Sequence, residues 1–117
     1  DLAANNLASV LLDSREDKAS FEQARQIAQR FERSPNPAYL DSLGWAHFRL
    51  GDYAQAIPLL QKAAERAPQA AILQFHLGMA LHRKGDVALA KTHLQKAVAA
   101  NVQFQGIEEA KKILAAG

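Results

Sequence analysis

Histidine is the side chain in this sequence that could most readily bind a metal ion or transfer a proton near neutral pH. The four histidines are His47, His76, His82 and His93. His76 and His82 lie six residues apart on one predicted helix, whereas two imidazoles on a helix hold one metal ion when they are four residues apart. The sequence has no cysteine, which excludes disulfides and cysteine-ligated metal sites. We interpret the histidines as solvated or hydrogen-bonded side chains and predict no metal site.

Catalytic motifs are also missing from the sequence. It contains no nucleophile elbow, no phosphate loop, no paired-carboxylate motif and no cysteine nucleophile. The good helix formers Ala, Leu, Gln, Lys, Arg and Glu dominate, while Val, Ile and Thr are sparse, so no strand is predicted to precede a glycine-rich loop. We therefore predict a chain that is not an enzyme, with no cofactor and no small-molecule substrate.

A second group of side chains suits recognition better than catalysis. Positions 41, 45, 48 and 49 share one face of a helix, and so do positions 75, 79, 82 and 83. They hold Asp41, Trp45, Phe48, Arg49, Phe75, Met79, His82 and Arg83. Aromatic, methionine and arginine side chains are enriched where proteins bind each other. The spacing thus indicates two helices that each present a surface suited to binding.

These two segments repeat each other. An offset of 34 residues relates Gly44 to Gly78 and Gly51 to Gly85. The same offset pairs Leu43 with Leu77, Ala46 with Ala80, Arg49 with Arg83, Asp52 with Asp86, Ala56 with Ala90, Leu60 with Leu94 and Ala63 with Ala97. Self-similarity at one fixed period indicates a repeat architecture, in which each unit buries its apolar face against its neighbours.

The period and the residues at these positions resemble the tetratricopeptide repeat. The pattern runs from Pro37 to Pro68, and residues 71–104 form a second copy that departs from it at Gln74 and Val102. The resemblance implies an all-α solenoid of three helical hairpins and a C-terminal capping helix, about seven helices in all. We expect a single domain over residues 1–117 that is a piece of a longer protein. Its expected parts are an irregular repeat at about 1–36, repeats at 37–70 and 71–104, and a capping helix at about 105–116.

Small residues mark the predicted turns and helix crossings. Gly51 and Gly85 should each end the first helix of a hairpin, since glycine tolerates positive φ. The aspartate that follows each glycine should cap the next helix. Gly44 and Ala56 are expected where the two helices of the second repeat approach most closely. A larger side chain at Gly44 would overpack this crossing.

The remaining helices are less regular. In the first repeat we predict helices at 2–12 and 21–33, separated by a charged turn. Pro58 falls inside the predicted helix 52–67, where we expect a mild kink because the apolar face continues beyond it. The capping helix should place an apolar stripe, beginning with Ile107, on the last hairpin.

In the resembled fold, the first helix of each hairpin lines a concave surface. The inward positions would be Asn5, Asn6, Ser9, Leu12, Asp41, Ser42, Trp45, Phe48, Arg49, Phe75, His76, Met79, His82 and Arg83. We predict a groove for a peptide or a helix, with the partner bound by Asn6, Asp41, Trp45, Phe48, Arg49, Phe75, His76, Met79, His82 and Arg83. The alternative is that Trp45 and Phe75 only pack between neighbouring first helices. The Lys, Asn and Arg pattern of the family's clamp for C-terminal carboxylates is absent, which disfavours binding of chaperone tails.

The charge pattern bears on nucleic-acid binding, and two further interpretations are alternatives to a peptide-binding groove. A net charge of +2 with alternating signs gives no basic stripe, so we predict no nucleic-acid binding. One alternative to a groove is the purely structural end of a longer solenoid, whose binding site lies in upstream repeats. Another is a homo-oligomer formed through an apolar face at Leu2, Leu7, Val10 and Leu11.

Three segments, 5–8, 35–45 and 51–53, are similar to the last repeats of bacterial tetratricopeptide lipoproteins associated with exosortase sorting and exopolysaccharide export. This resemblance implies a scaffold in the bacterial cell envelope or periplasm, and without it a cytoplasmic location is expected. No apolar run approaches the ~18 residues of a membrane span. We therefore predict no direct membrane insertion of this segment.

Overall fold

The computed structural model describes residues 1–116, and position 117 of the expected single domain lies outside the described residues. Within residues 1–116 the secondary structure consists of helices only, which confirms the all-α class. The α-helices are α1 (Leu2–Asp13), α2 (Lys18–Ala28), α3 (Pro37–Arg49), α4 (Tyr53–Arg66), α5 (Ala71–Lys84), α6 (Val87–Ala99) and α7 (Ile107–Ala116), with a 3₁₀ turn at Gln29–Phe31 after α2.

The helices pair in sequence order and then stack. α1 packs on α2, α3 on α4 and α5 on α6, and each pair forms a hairpin. The second helix of one hairpin packs on the first helix of the next, so that α2 contacts α3 and α4 contacts α5. The first helices also touch in a row, α1 to α3 and α3 to α5, and α7 packs on α5 and α6. This arrangement is the predicted solenoid.

The small residues lie where the repeat pattern predicted. A methyl group added at Gly44 would lie 2.8 Å from Leu60 Cγ on α4, and one at Gly78 would lie 2.7 Å from Leu94 Cδ2 on α6. Gly51 and Gly85 have φ values of +83° and +103°, as expected for the residue that ends a helix before a tight turn. The second and third hairpins therefore have the same type of helix crossing and the same type of turn.

Helix caps agree with the sequence at one predicted position and differ at the other. The carboxylate of Asp52 accepts a hydrogen bond from the backbone N–H of Gln55 at 3.3 Å, as predicted. Asp86 occupies the N-cap of α6, but its side chain makes no capping hydrogen bond, so that prediction was wrong. Asp86 is exposed, and water can solvate its carboxylate instead. α4 runs unbroken through Pro58, in agreement with the expected continuation.

In the first repeat, the second helix begins and ends earlier than the sequence predicted. α2 begins at Lys18, three residues before the predicted Phe21, because Asp17 caps it by accepting from the backbone N–H of Ser20 at 3.0 Å. The helix gives way to a 3₁₀ turn after Ala28, earlier than the predicted end at Arg33. Only residues 14–17 separate α1 from α2, so the turn is shorter than expected.

The core runs along the stack, and α7 covers its last hairpin. Ile107 and Ala110 of α7 are buried, while its charged residues Glu108, Glu109, Lys111 and Lys112 are exposed, as predicted for a capping helix. Gln74 is 3% exposed, and its amide pairs with the Pro68 carbonyl at 2.9 Å and with His93 Nδ1 at 2.7 Å. These bonds explain how a polar residue replaces the usual apolar one. None of the described helices is both long enough and apolar enough to cross a bilayer.

Candidate functional site

A cavity of about 460 Å³ lies where the first helices of all three hairpins meet the segment that follows α6. We call this cavity the groove. Its walls are Leu12, Asp13, Glu16, Phe21, Trp45, Phe48, Arg49, Gly51, Tyr53, Ile72, Phe75, His76, Met79, Arg83, Gln105, Gly106 and Glu109. A volume of this size falls within the range of about 300–1,000 Å³ typical of ligand pockets.

Seven of the ten predicted partner-binding residues border the groove. They are Trp45, Phe48, Arg49, Phe75, His76, Met79 and Arg83. The other three lie elsewhere: Asp41 is buried in contact with His76, His82 is half-buried, and Asn6 is exposed on α1. Two neighbouring first helices, α3 and α5, thus supply all seven.

Aromatic rings form the floor of the groove. The indole of Trp45 stacks on Phe48, with ring centres 4.3 Å apart, and on His76 at 3.8 Å. Phe75 lies 6.1 Å from Trp45 and 5.0 Å from Phe104. Trp45 is only 8% exposed and Met79 only 1%. These side chains therefore pack between first helices, as the alternative interpretation held, and border the groove at the same time.

His76 and Asp41 form a buried pair beneath this floor. His76 Nδ1 lies 2.8 Å and 2.9 Å from the two carboxylate oxygens of Asp41. A carboxylate oxygen accepts, so Nδ1 carries the proton that it donates, and the carboxylate fixes both the tautomer and the orientation of the ring. Such a pair orients a histidine in many active sites, where a nucleophile or a substrate-activating group acts beside it. Serine, threonine, cysteine and lysine are absent from the described residues that line the groove, which include Tyr53, Glu16 and Glu109.

Two arginines one repeat apart stand at the rim of the groove. The guanidinium of Arg49 lies 4.6 Å above the Phe21 ring and donates to Glu16 at 2.9 Å. The guanidinium of Arg83 lies 5.5 Å above the Phe48 ring and donates to Glu109 at 3.4 Å. Within residues 1–116, the buried Nε of Arg49 has no hydrogen-bond partner. The rim thus combines arginine heads with aromatic faces and exposed carboxylates.

Asp13 gives the groove a carboxylate near the end of α1. Partial burial of this group raises its pKa above the usual 3.8. Among the neighbouring groups, His76 lowers the pKa of Asp13, the negative charge of Asp41 raises it, and the positive charge of Arg49 lowers it. The rim is therefore mixed in charge, with acidic groups beside both arginines.

The sequence missed the wall formed by the last segment of the chain. Gln105, Gly106 and Glu109 line the groove, although the sequence assigned them only to the capping region. The side-chain amide of Gln105 donates to the backbone carbonyl of Asp13 at 2.9 Å. These residues are 92 positions apart, so no helical or repeat spacing could have related them.

Comparison with known families matches most of the chain. A family model described as tetratricopeptide repeat matches residues 42–103. A second model of the same description matches residues 2–69. No curated protein matches the chain. The two models together span residues 2–103, so the wall formed by Gln105, Gly106 and Glu109 lies beyond both.

Proposed function

This chain belongs to the tetratricopeptide repeat family, and we propose that it holds a segment of a partner polypeptide in the groove. Repeats of this family generally mediate protein–protein interactions and are generally not enzymes. The groove is the surface on which the proposal depends, and the alternative depends on the exposed face of α1.

The observation that most strongly supports partner binding in the groove is the arrangement of aromatic rings beneath two arginines. Phe21 and Phe48 each lie under a guanidinium, Arg49 and Arg83 respectively. A guanidinium held on a ring keeps several N–H donors free to meet carbonyl or carboxylate oxygens. The groove can therefore offer a partner both apolar contact and directed hydrogen bonds.

The floor residues of the groove are more buried than the rim residues, so a partner would contact the rim first. Trp45, Phe75 and Met79 are almost wholly covered by their neighbours, so they shape the groove and contribute little free surface. Arg83 retains 45% of its side-chain surface. In this proposal the floor sets the shape that a partner must fit, and the rim supplies the groups that a partner approaches first.

An exposed apolar face on α1 supports the alternative, in which the chain extends a stack or pairs with a second copy. Leu2, Leu7 and Val10 are 65%, 48% and 55% exposed, whereas Leu11, which was predicted in the same face, is 8% exposed and belongs to the core. The positions equivalent to Leu7 in the later repeats are Leu43 and Leu77, which are almost fully buried. Each of those later first helices is covered by the second helix of the preceding hairpin, so the face of α1 could receive the same kind of helix.

The cellular setting also stands as a proposal. The similarity of segments 5–8, 35–45 and 51–53 to bacterial export and exosortase-associated lipoproteins favours a scaffold of the cell envelope. In that setting the groove would hold a protein of the same assembly.

The test is selection of random linear peptides on the immobilised protein, followed by affinity measurement with wild type and two variants. The informative change is Arg83→Gln, and the matched control is Arg33→Gln, an exposed arginine outside the groove. The selected peptides should bind wild type and the control alike and bind Arg83→Gln more weakly, with unchanged circular dichroism. Peptides that bind all three proteins equally well would place the binding site elsewhere.

Sedimentation at several protein concentrations tests the alternative. A groove-binding monomer should have a sedimentation coefficient that does not change with protein concentration. Association that disappears in Leu7→Gln would favour the face of α1 as the functional surface.

A further inference from the structure

The segment between α6 and α7 does more than connect two helices. Residues 101–106, here called the strap, leave the last hairpin and reach the first one. Phe104 packs on Phe75, and Gln105 donates to the Asp13 carbonyl at 2.9 Å. α7 itself packs only on α5 and α6 among the described helices. The strap therefore joins the two ends of the stack across its concave side.

With this hydrogen bond in place, the groove is surrounded by a closed ring of contacts. α1 touches α3, α3 touches α5, Phe104 of the strap packs on Phe75 of α5, and Gln105 returns to α1. All four members of the ring contribute residues to the wall of the groove. A chain can enter such a ring by passing its end through an opening, and otherwise only after the ring opens.

The acceptor used by the strap is one that a ligand could also use. Asp13 is the last residue of α1, and the last four carbonyls of a helix lack partners within it. Gln105 supplies a donor to one of them. A backbone or side-chain N–H of a bound peptide could use the second lone pair of this carbonyl while Gln105 keeps the ring closed.

The contact that closes the ring is also the weakest part of it. Asp13 and Gln105 are both exposed, so water competes for their hydrogen bond. The strap is bounded by Asn101 and Gly106, with φ values of +57° and +99°. Its base is firmer, because Phe104 is half-buried on Phe75. The strap can therefore release α1 while it stays anchored on α5.

Building on the proposed function, we infer that the groove takes the free end of a polypeptide chain and that Gln105 excludes internal segments while it is bonded to Asp13. A cavity of about 460 Å³ suits a short terminal stretch. An internal segment of a folded partner continues in both directions and cannot pass through a closed ring. Closure by one solvent-exposed hydrogen bond would lower the apparent affinity for internal segments by about two- to twelvefold, the factor that corresponds to the net free energy of such a bond.

The experiment compares three presentations of the same random heptapeptide library. The peptides carry a free amino end, a free carboxyl end, or folded domains on both sides. Selection uses wild type, Gln105→Ala, and Gln103→Ala as the matched control, since Gln103 is exposed and makes no hydrogen bond within the described residues. Wild type and the control should enrich free-ended peptides over flanked ones. Gln105→Ala should bind flanked peptides about two- to twelvefold more tightly than wild type does.

Two results would overturn the inference in different ways. Equal enrichment of flanked and free-ended peptides by wild type removes the requirement for a chain end and leaves a peptide-binding groove intact. Enrichment of no library by any of the three proteins overturns the proposed function, and this inference with it.

A measurement without any ligand tests the ring directly. The chain has no native cysteine, so Ser14→Cys and Val102→Cys, both exposed, can carry a pair of spin labels. Wild type and Gln103→Ala should give one short distance, and Gln105→Ala should add a population at longer distances. An identical distance distribution in all three proteins would show that Gln105 does not hold the strap on α1.

Discussion

His76 Nδ1 lies 2.8 Å from a carboxylate oxygen of Asp41, which joins the first helices of two neighbouring hairpins through one buried polar contact. The side chains are 9% and 11% exposed, so water replaces little of what either loses when its partner is removed. The imidazole also stacks on Trp45, so this pair supports the floor of the groove from below.

The first prediction concerns the coupling between these two residues. His76→Ala and Asp41→Ala should each lower the free energy of unfolding by about 1–3 kcal/mol, because each leaves a buried polar partner unsatisfied. The double variant should lose less than the sum of the two, with a coupling energy of about 0.5–3 kcal/mol. Urea denaturation of the four proteins measures the cycle. Strictly additive losses would mean that the two side chains act independently.

The second prediction concerns the crossing of α3 and α4. Gly44→Leu should cost at least ~1–3 kcal/mol, because even a methyl group there would lie 2.8 Å from Leu60. The matched control is Ala54→Leu, at an exposed position on α4. Thermal unfolding should show a lower melting temperature for Gly44→Leu and little change for the control. A melting temperature equal to that of wild type would reject the close crossing.

The third prediction compares two glycines with similar backbones and different surroundings. Gly85 and Gly106 have φ values of +103° and +99°, but only at Gly106 would a methyl group meet neighbours, with Phe75 Cε2 at 2.8 Å. Gly85→Ala should cost the conformational term alone, about 1–2 kcal/mol. Gly106→Ala should cost more and should displace Phe75. The difference between the two free energies of unfolding is the measurement, and a Gly106→Ala cost equal to that of Gly85→Ala would contradict the contact with Phe75.

The fourth prediction concerns stability at mildly acidic pH. Burial lowers the pKa of His47 and of His93 below the usual 6.5. Below pH 6.5 the unfolded chain therefore binds protons more readily than the folded chain. Stability should fall as the pH drops through 6.5 toward the folded-state pKa values, and no further loss from these two groups should follow below them.

Free energies of unfolding for wild type and His47→Gln/His93→Gln, measured between about pH 7.5 and 5, test this prediction. The wild-type curve should fall more steeply than that of the variant. The raised pKa of Asp13 acts in the opposite direction, but it is common to both proteins and cancels in the difference. Parallel curves would mean that neither histidine carries the pH dependence.

Much of the fold could be predicted from the sequence because the residues that specify it recur within one or two helices. Gly44 and Gly78 mark the crossings, and Gly51 and Gly85 mark the turns, each at the same offset. The errors also lie at local features. Asp17 was read as part of a loop although it caps α2, and Asp86 was read as a cap although its side chain makes none of the expected bonds.

The candidate site could be predicted in part. The inward positions of α3 and α5 follow from helical spacing within a repeat, and seven predicted residues border one groove. Spacing could not show that Trp45 would be nearly covered, because its cover comes from a ring on its own helix and a ring on the next first helix. That cover depends on how closely two hairpins approach.

The sequence by itself determined the helices, their pairing into hairpins and the stacking of these hairpins, because small and apolar side chains recur at a fixed period. Only the tertiary structure decided that the stack bends far enough for Gln105 to reach the carbonyl of Asp13. That meeting depends on the summed curvature of three hairpins, and no single repeat contains the information that fixes it.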